Sequence, residues 1–183
     1  MHSEGVTLIE ALVTLGIVSI VLAIGVPAVR DIVATNRMSV AVNDLVTSLH
    51  ISRNEAVKRT ERSILCASTD WNAAGARCQN GNIVDGWIVF VDDNPRNGVR
   101  DAGETLVLGH GPLGQGIVLT APNNIQFSDL GIATANTPGD EINFLFCDER
   151  GNRVSGGVTA GRRINMTATG RPQVVATPAE VAC

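Results

Sequence analysis

An uninterrupted run of 19 uncharged residues, from Ala11 to Val29, constrains this chain more than any other feature of its sequence. At about 1.5 Å per helical residue the run spans roughly 28 Å, close to the thickness of the hydrocarbon layer of a bilayer. A helix buried in a soluble core rarely stays apolar on every side over such a length. The sequence therefore predicts one membrane-spanning helix near the N-terminus, with no second run of this kind.

A cleavable secretory signal is the competing interpretation of this run. Such a signal begins with a positive segment, has a shorter apolar core and ends at a small-x-small site. The opening residues MHSEG contain no Lys or Arg, although Val26-Pro27-Ala28 imitates a cleavage site. Glu10 also lies at the start of the apolar segment, where a buried carboxylate costs about 2.5–3.5 kcal/mol. We therefore expect an anchor, with Glu10 either serving a function or reaching the headgroup region.

The segment GVTLIE, residues 5–10, precedes the apolar run, which contains Pro27 near its end. This arrangement resembles the class III signal of type IV prepilins and type II secretion pseudopilins. In that family a prepilin peptidase cleaves after the glycine and methylates the new amine, which implies processing between Gly5 and Val6. Glu10 then becomes the fifth mature residue with a role in assembly, and Pro27 matches the proline that kinks the helix. The usual first mature residue is Phe, where this chain has Val6, and the leader lacks the usual basic residue.

Charge pairing gives this arrangement a physical reason. The amine created at Val6 and the carboxylate of Glu10 share an apolar environment, in which an unpaired charge is costly and a paired one is tolerated. The carboxylate of one subunit can therefore pair with the amine of a neighbour and fix the stagger of their helices. Small residues that permit close helix approach are Thr7, Thr14, Gly16, Ser19 and Gly25.

The helical pattern continues beyond the apolar run. An apolar stripe with alternating steps of four and three is formed by Met38, Val42, Leu45, Leu49, Ser52 and Ala56. This spacing predicts an amphipathic helix that continues to about Thr60. We therefore expect one helix from Val6 to about Thr60, with its first half in lipid and its second half packed on a globular domain. Pro27 should kink it near the membrane surface.

After Thr60 the pattern changes to short strands separated by turn residues. The predicted strands are Ser63–Ser68, Trp87–Val91, Thr105–Leu108, Ile117–Thr120, Ile142–Cys147 and Arg163–Ala168. One long helix followed by strands indicates an α+β fold, with the helix covering an antiparallel sheet. The expected organisation is a leader over 1–5, a transmembrane half-helix over 6–29, an amphipathic half over 30–60 and a β-rich globular domain over 61–183.

Further motifs narrow the resemblance. SRNEA (residues 52–56), GWIVFVD (86–92) and the turn residues Asn97-Gly98 and Gly103-Glu104 are similar to those of GspH/FimT-type minor pilins. The resemblance implies a type IV pilin-like fold and a minor pilin that primes or caps a type IV pilus. It also implies partners: other major and minor pilins, prepilin peptidase and the bacterial inner membrane, with the domain in the periplasm before assembly. An H-type minor pseudopilin of a type II secretion system fits as well, because it differs in partners rather than in chemistry.

The four cysteines predict two disulfides. The expected orientation of the anchor places them in the periplasm, which supports disulfide formation. Of the three possible connectivities we favour Cys66–Cys78, which closes a short loop, and Cys147–Cys183, which ties down the chain end. A zinc site is the alternative, although no C-x-x-C pair is present.

The acidic segment from Asp93 to Glu104 admits two interpretations. In an EF-hand frame, positions 1, 5, 6, 9 and 12 are occupied by Asp93, Asn97, Gly98, Asp101 and Glu104. Pro95 takes the third position, however, and Arg96 and Arg100 place positive charge in the loop. A β-hairpin turn through Asn97-Gly98 explains the same residues without calcium and is the interpretation we favour.

Charge is distributed unevenly along a chain whose net formal charge is −4. Residues 64–149 hold three arginines against eleven acids, a charge of −8, and residues 150–183 carry +4. Arg162, Arg163 and Arg171 in the basic end are candidates for contact with DNA phosphates. In competence-associated relatives DNA binding is attributed to a Gly-Arg-x-Arg motif, which here reads GRPQ and lacks the second arginine. We favour a solvated basic face, or one that docks an acidic neighbouring subunit.

Catalysis finds no support in the sequence. The three histidines, His2, His50 and His110, are accompanied by no nucleophile elbow, phosphate loop or metal-helix motif. We expect a structural subunit that is not an enzyme and needs no cofactor or metal.

Overall fold

The structure is a computed structural model that describes residues 7–79, 81–135, 142–167 and 169–183. Within them one long helix is followed by eleven short strands, and a single 3₁₀ helix, Ile83–Asp85, lies between the first two strands. The chain divides into two compact units, Met1–Arg37 and Met38–Cys183.

The helix α1 runs from Leu8 to Arg59 and passes through Pro27. The hydroxyl of Thr7 accepts a hydrogen bond from the backbone N–H of Glu10 at 3.3 Å, so Thr7 caps the start of the helix. The helix ends before Thr60, which has a φ of 55° and cannot continue it. The observed bounds agree with the single long helix that the sequence predicts.

The predicted apolar stripe of the helix is buried. The buried residues of α1 are Met38, Ala41, Val42, Leu45, Ser48, Leu49, Ser52 and Ala56. This set contains all six predicted positions. The hydroxyl of Ser48 donates to the carbonyl of Asp44 at 2.8 Å, so this polar side chain is satisfied within the core. The core-forming part of the helix therefore begins at Met38.

The larger sheet has five antiparallel strands. They are β1 (Arg62–Ala67), β2 (Trp87–Asp92), β3 (Leu106–His110), β5 (Asn124–Phe127) and β6 (Ala133–Ala135). Their order across the sheet is β3-β2-β1-β5-β6, which places β1 and β2 in the interior. Five of the six β1 residues and all six β2 residues are buried, because both faces of these two strands are covered.

The smaller sheet has four antiparallel strands. They are β4 (Val118–Thr120), β7 (Ile142–Cys147), β10 (Arg162–Met166) and β11 (Pro172–Val175), in the order β11-β10-β7-β4. Burial alternates along β7, where Ile142, Phe144 and Phe146 face the core, so one face of this sheet is covered more deeply than the other. A separate hairpin pairs β8 (Val154–Ser155) with β9 (Val158–Thr159).

Two groups of buried side chains flank the larger sheet. The main core joins α1 from Met38 onwards to both sheets and contains Trp87, Phe127, Phe144 and Phe146. The second, smaller core consists of Ile64, Cys66, Ala76, Ile88 and Phe90. Successive strand residues point to opposite faces, so β1 and β2 contribute alternately to the two cores.

The predicted fold class is confirmed, because a long helix packs on antiparallel β-structure. The prediction of one sheet was wrong, since the described residues form two sheets and a hairpin. The predicted strands lie within two residues of their expected bounds, apart from the predicted end at Ala168, which lies outside the described residues. Five strands, β5, β6, β8, β9 and β11, were not predicted.

Candidate assembly surface

The first half of α1 presents an apolar surface that the chain leaves uncovered. Every large apolar side chain from Leu8 to Val33 is at least 41 % exposed. Among the described residues α1 is the one helix long and apolar enough to cross a membrane, and none of its apolar window is buried in the chain. Exposing such surface to water costs about 25 cal/mol per Å². Lipid or other chains must therefore cover this half of the helix.

Hydroxyl groups in this half are satisfied within the helix itself. Thr14 donates to the carbonyl of Ala11 at 2.9 Å, and Ser19 donates to the carbonyl of Gly16 at 2.8 Å. Such bonds let a hydroxyl lie in an apolar environment without water. The hydroxyls are therefore compatible with lipid or with a neighbouring helix.

Glu10 is an exposed carboxylate in the first turn of α1. Of the residues that the structure describes, none forms an ion pair with it. The predicted cleavage point between Gly5 and Val6 lies outside the described residues. Pairing between Glu10 and a neighbour's amine therefore stays a prediction.

A stripe of uncharged residues covers the outward face of the second half of α1. It is formed by the exposed residues Val40, Asn43, Thr47, His50, Asn54 and Val57. Solvated helix faces normally carry charged side chains, whereas this stripe has the alternating three- and four-residue spacing of a seam between helices. This outer stripe was not predicted from the sequence, although it has the same alternating spacing as the buried stripe that was predicted.

The segment SRNEA, residues 52–56, fastens the helix to the larger sheet. The hydroxyls of Ser52 and Ser63 form a buried hydrogen bond of 2.9 Å, and Ser63 also donates to the carbonyl of Phe90 at 3.2 Å. At the next position of the helix, Arg53 Nε donates to the carbonyl of Gly131 at 3.2 Å. These contacts set the position of the helix against β1, β2 and the turn between β5 and β6. The motif therefore has a structural role.

The remaining charged member of this motif is Glu55, which pairs along the helix. Its carboxylate is 2.7 Å from Arg59 Nε and 3.6 Å from Lys58 Nζ. The hydrogen bond from Arg59 lowers the pKa of Glu55, the charge of Lys58 adds to this, and burial opposes both. Such pairs within a helix stabilise it by a few tenths of a kcal/mol.

The cysteines are joined as Cys66–Cys78 and Cys147–Cys183, with Cα atoms 5.4 Å and 5.6 Å apart. These are the two pairings that the sequence favoured. The first lies at the second core. The second holds the C-terminal segment, in which Val181 is buried. The backbone N–H of Cys183 also donates to Asn152 Oδ1 at 2.6 Å.

The acidic segment 93–104 forms the connection of a hairpin between β2 and β3, as the favoured interpretation predicts. Gly98 has a φ of 82°, and the Asn97 side-chain amide donates to Asp101 Oδ2 at 2.8 Å. Arg100 Nη1 donates to the carbonyl of Ala76 at 2.9 Å and so ties this connection to the disulfide loop. The described residues contain no group of three His, Cys, Asp or Glu suited to a metal ion.

Two buried carboxylates stand at the base of this connection. Asp92 pairs with Arg62, whose Nε lies 2.7 Å from Asp92 Oδ2, and accepts the backbone N–H of Gly98 at 3.0 Å. Glu104 accepts the backbone N–H of Asp101 at 2.8 Å. Burial raises the pKa of Glu104, and the nearby carboxylate of Asp92 adds to this.

The structure does not bring Arg162, Arg163 and Arg171 together. Arg162 Nη1 donates to the carbonyl of the preceding residue, Gly161, at 2.8 Å. Burial lowers the pKa of Arg162, and the positive charge of Arg150 lowers it further. Arg163 is the next strand residue and so points to the opposite face of the sheet. Arg171 is exposed in the turn before β11, at the other end of the hairpin.

His110 has a packing role. The sequence placed it in a glycine-rich turn, but it ends strand β3. Its ring stacks on buried Trp87 with centroids 3.9 Å apart, and its Nε2 lies 3.4 Å from Asp44 Oδ2 on the helix. His50, in contrast, is exposed on the outer stripe.

A long, half-uncovered helix packed on antiparallel sheets defines the class of pilin-like subunits. The family model described as type II transport protein GspH matches residues 41–170, more than two thirds of the chain. The chain therefore belongs to the GspH family. Its members are structural subunits of the pilin and pseudopilin type, and the protein is not an enzyme.

A solved structure shares the fold. A crystal structure of the type IV minor pilin FimU from Pseudomonas aeruginosa PAO1 is 18 % identical, with a TM-score of 0.50, and the match covers 81 % of this chain and 93 % of that one. A second crystal form of FimU gives 16 % identity, a TM-score of 0.48 and coverage of 75 % and 91 %. A comparison with curated protein sequences gave no match.

Proposed function

We propose that this protein is a minor pilin that primes or caps the assembly of a type IV pilus. Prepilin peptidase cleaves it between Gly5 and Val6 and methylates the new amine. Residues 6–29 then hold it in the bacterial inner membrane, with the domain over 61–183 in the periplasm. Assembly moves the helix from lipid into a filament of other major and minor pilins.

The observation that carries this proposal is the uncovered apolar half of α1 with Glu10 in its first turn. An anchor alone needs no acidic residue at this position, where insertion is penalised by about 2.5–3.5 kcal/mol. A neighbouring subunit's amine would offset this penalty, because a paired buried charge is tolerated. Pairing at Glu10 therefore fixes the axial register between neighbouring helices.

The test replaces Glu10 and measures the amount of the chain in purified filaments. Glu10→Gln keeps the size of the side chain and removes its charge, so incorporation should fall at least tenfold, the effect of about 1.4 kcal/mol. Glu10→Asp keeps the charge and should retain part of the incorporation. Asp31→Asn, an acidic residue further along the same helix, is the matched control and should behave like the wild type.

Mass spectrometry of the membrane-extracted protein tests processing separately. The expected N-terminus is a methylated Val6. An intact leader, cleavage at Ala28, or full incorporation of Glu10→Gln would contradict the proposal.

A pseudopilin of a type II secretion system is the second candidate, favoured by the description of the matching family as a type II transport protein. The two candidates share Glu10, Pro27 and the disulfides and differ only in partners. Cross-linking in native membranes discriminates between them, because the captured chains are either pilus subunits or secretion pseudopilins.

DNA binding during uptake is the third candidate and depends on Arg171, which is exposed in a turn. Gel shifts of the purified protein over a salt series test it. One lost phosphate contact should reduce the salt slope by about 1, so Arg171→Gln should weaken retention while the matched exposed cation variant Lys58→Gln should not. Equal retention of both variants would exclude a role for Arg171.

A further inference from the structure

Two buried carboxylates face each other where the ladder between β2 and β3 ends. The backbone N–H of Val91 donates to the carbonyl of Thr105 at 3.0 Å, so the antiparallel register places Asp92 opposite Glu104. Directly opposite residues lie on the same face of a sheet, with Cβ atoms about 4.5–5.5 Å apart. Asp92 is fully buried and Glu104 is 5 % exposed. Two like charges therefore meet in a site from which water is largely excluded.

Each of these carboxylates has one oxygen without a hydrogen-bond partner among the described residues. Asp92 Oδ1 and Glu104 Oε1 are both buried and unpartnered. The other oxygens are satisfied, since Asp92 Oδ2 accepts from Arg62 and Gly98, and Glu104 Oε2 accepts the N–H of Asp101. A buried polar atom without a partner is costly and calls for an explanation such as a bound water or ion. The two oxygens therefore indicate a ligand from outside the chain.

Charge compensation at this pair is incomplete. Arg62 pairs with Asp92, but among the described residues no Lys, Arg or His forms an ion pair with Glu104. Burial raises the pKa of Glu104, and the carboxylates of Asp92, Asp101 and Asp93 raise it further, against the hydrogen bond from the Asp101 N–H. An unpaired buried carboxylate is costly, so a cation or a proton must neutralise it.

The two arginines of the connection do not supply this positive charge, although in the sequence they count against a cation site. Arg96 pairs with Glu61. Arg100 Nη1 donates to the carbonyl of Ala76 at 2.9 Å, and its Nη2 donates to the backbone carbonyl of Glu104 at 3.2 Å. Both guanidinium groups therefore bind acceptors other than the Glu104 carboxylate.

We propose that Asp92 Oδ1 and Glu104 Oε1 bind one calcium ion at the base of the connection between β2 and β3. Calcium is a hard cation that takes about six to eight oxygen ligands in flexible geometry, and backbone carbonyls and water can supply several of them. They must do so here, because the described residues hold no group of three metal-binding side chains.

This site differs in two ways from what the sequence predicts. The EF-hand frame puts Asp93 in the first position, but Asp93 is exposed and Asp92 faces Glu104. The hairpin and the ion are also not alternatives, because the turn uses the hydrogen bonds of Asn97 and Gly98 and the ion uses the two free carboxylate oxygens. The inference does not depend on the proposed function, since both carboxylates belong to the globular domain itself.

Thermal unfolding of the full-length chain in detergent, after treatment with a chelator, is the first test. At the affinity of extracellular calcium modules, a Kd of about 10⁻⁴–10⁻³ M, about 10 mM CaCl₂ should raise the unfolding midpoint by about 3–10 °C. Magnesium demands octahedral geometry and keeps its water, so MgCl₂ should have a smaller effect. No shift with calcium, or an equal shift with MgCl₂ or with KCl of the same ionic strength, would overturn the inference.

The second test removes one ligand. Glu104→Gln keeps the size of the side chain and removes its charge, so the shift with calcium should disappear. Glu149→Gln, at an exposed position, is the matched control and should keep the full shift. A calcium shift retained by Glu104→Gln would contradict the site.

Calorimetric titration of the wild-type chain with calcium gives a readout that does not depend on how the variant folds. The expected result is one ion bound per chain, and the absence of binding would overturn the inference. Both tests use purified protein without filaments, so their failure would leave the proposed function untouched, and failure of the proposed function would leave them valid.

Discussion

Gly170 occupies a position in which the backbone leaves no room for a side chain. Its φ is 72°, and a Cβ there would lie 2.3 Å from the carbonyl oxygen of Gly131. The strained backbone conformation of Gly170→Ala should lower the free energy of unfolding by about 1–3 kcal/mol. The close approach of the new Cβ to the Gly131 carbonyl should lower it further. Denaturant unfolding measures the sum.

Gly98 is the matched control for this substitution. It has a φ of 82° but nothing within 4 Å of the corresponding Cβ, so Gly98→Ala carries the conformational cost alone. The difference between the two variants isolates the effect of crowding at the Gly131 carbonyl. Equal destabilisation by both would show that the turn at Gly170 moves away without cost.

Glu104 should make the stability of the domain depend on pH. Burial raises its pKa above the ordinary value of 4.5, and the carboxylates of Asp92, Asp101 and Asp93 add to this, against the hydrogen bond from the Asp101 N–H. The folded state therefore holds the proton more tightly than the unfolded state, and stability falls as the pH rises through this raised pKa. Glu104→Gln should therefore lose less stability than the wild type as the pH rises above 4.5. Thermal unfolding over a pH series measures this difference.

The exposed residue Glu149 supplies the control for this pH series. Glu149→Gln should leave the pH dependence of unfolding as in the wild type. A Glu104→Gln profile parallel to that of the wild type would contradict the raised pKa.

Single residues differ in how well their roles can be predicted from the sequence. The buried positions Leu45 and Leu49 follow from helical spacing, because that spacing is local. Leu130 is an apolar residue in a turn, and no local pattern separates exposure from burial there. Arg162, Arg163 and Arg171 look like a cluster in the sequence, but strand alternation and the length of the hairpin separate them.

At the scale of elements, the disulfide Cys147–Cys183 should hold the C-terminal segment. It closes a loop with a sequence separation of 36, so replacing both cysteines by Ser should lower the free energy of unfolding by about 4 kcal/mol in the chain-entropy model. Hydrogen exchange should accelerate at Val181, a buried residue of this segment, and remain slow in β2.

The other disulfide gives the comparison. Cys66–Cys78 has a sequence separation of 12, so the double Ser variant should lose about 3 kcal/mol by the same model. It should speed hydrogen exchange around Ala76 in the second core and leave Val181 protected. Fast exchange in β2 of the Cys147→Ser, Cys183→Ser variant would show that the C-terminal segment is part of the global folding unit.

The unpredicted strands share weak local signals. β5 contains two apolar residues, Ile125 and Phe127, which alternate with the amide residues Asn124 and Gln126. β11 starts with Pro172, which lowers the strand signal, and β8 and β9 have two residues each. Division into two sheets depends on pairing between distant segments, which no local pattern encodes.

At the scale of the whole molecule, the core does not depend on the apolar half of the helix. The main core cluster begins at Met38, and none of its described members precedes that residue. A chain that starts at Met38 should therefore fold without detergent and unfold at the same temperature as the full-length protein. Calorimetry of both forms checks this, and a lower midpoint for the shorter form would show that earlier residues contribute to stability.

The two units of the chain differ in which of their properties can be predicted from the sequence. The apolar side chains from Leu8 to Val33 are uncovered by the rest of the chain, and this exposure follows from the composition of the segment. The domain from Met38 has a buried core of its own, so the periodicity of its apolar residues predicts the fold class. The partners that cover the apolar half of α1 depend on a second molecule, and a single sequence contains no information about them.

The turn between β5 and β6 also has a consequence for sequence variation in this protein. Arg53, Ser128 and Gly131 hold the tip of the turn in place whichever side chain occupies position 130. Because Leu130 is exposed, another residue at that position would leave the domain folded, so related chains can differ there at little cost in stability.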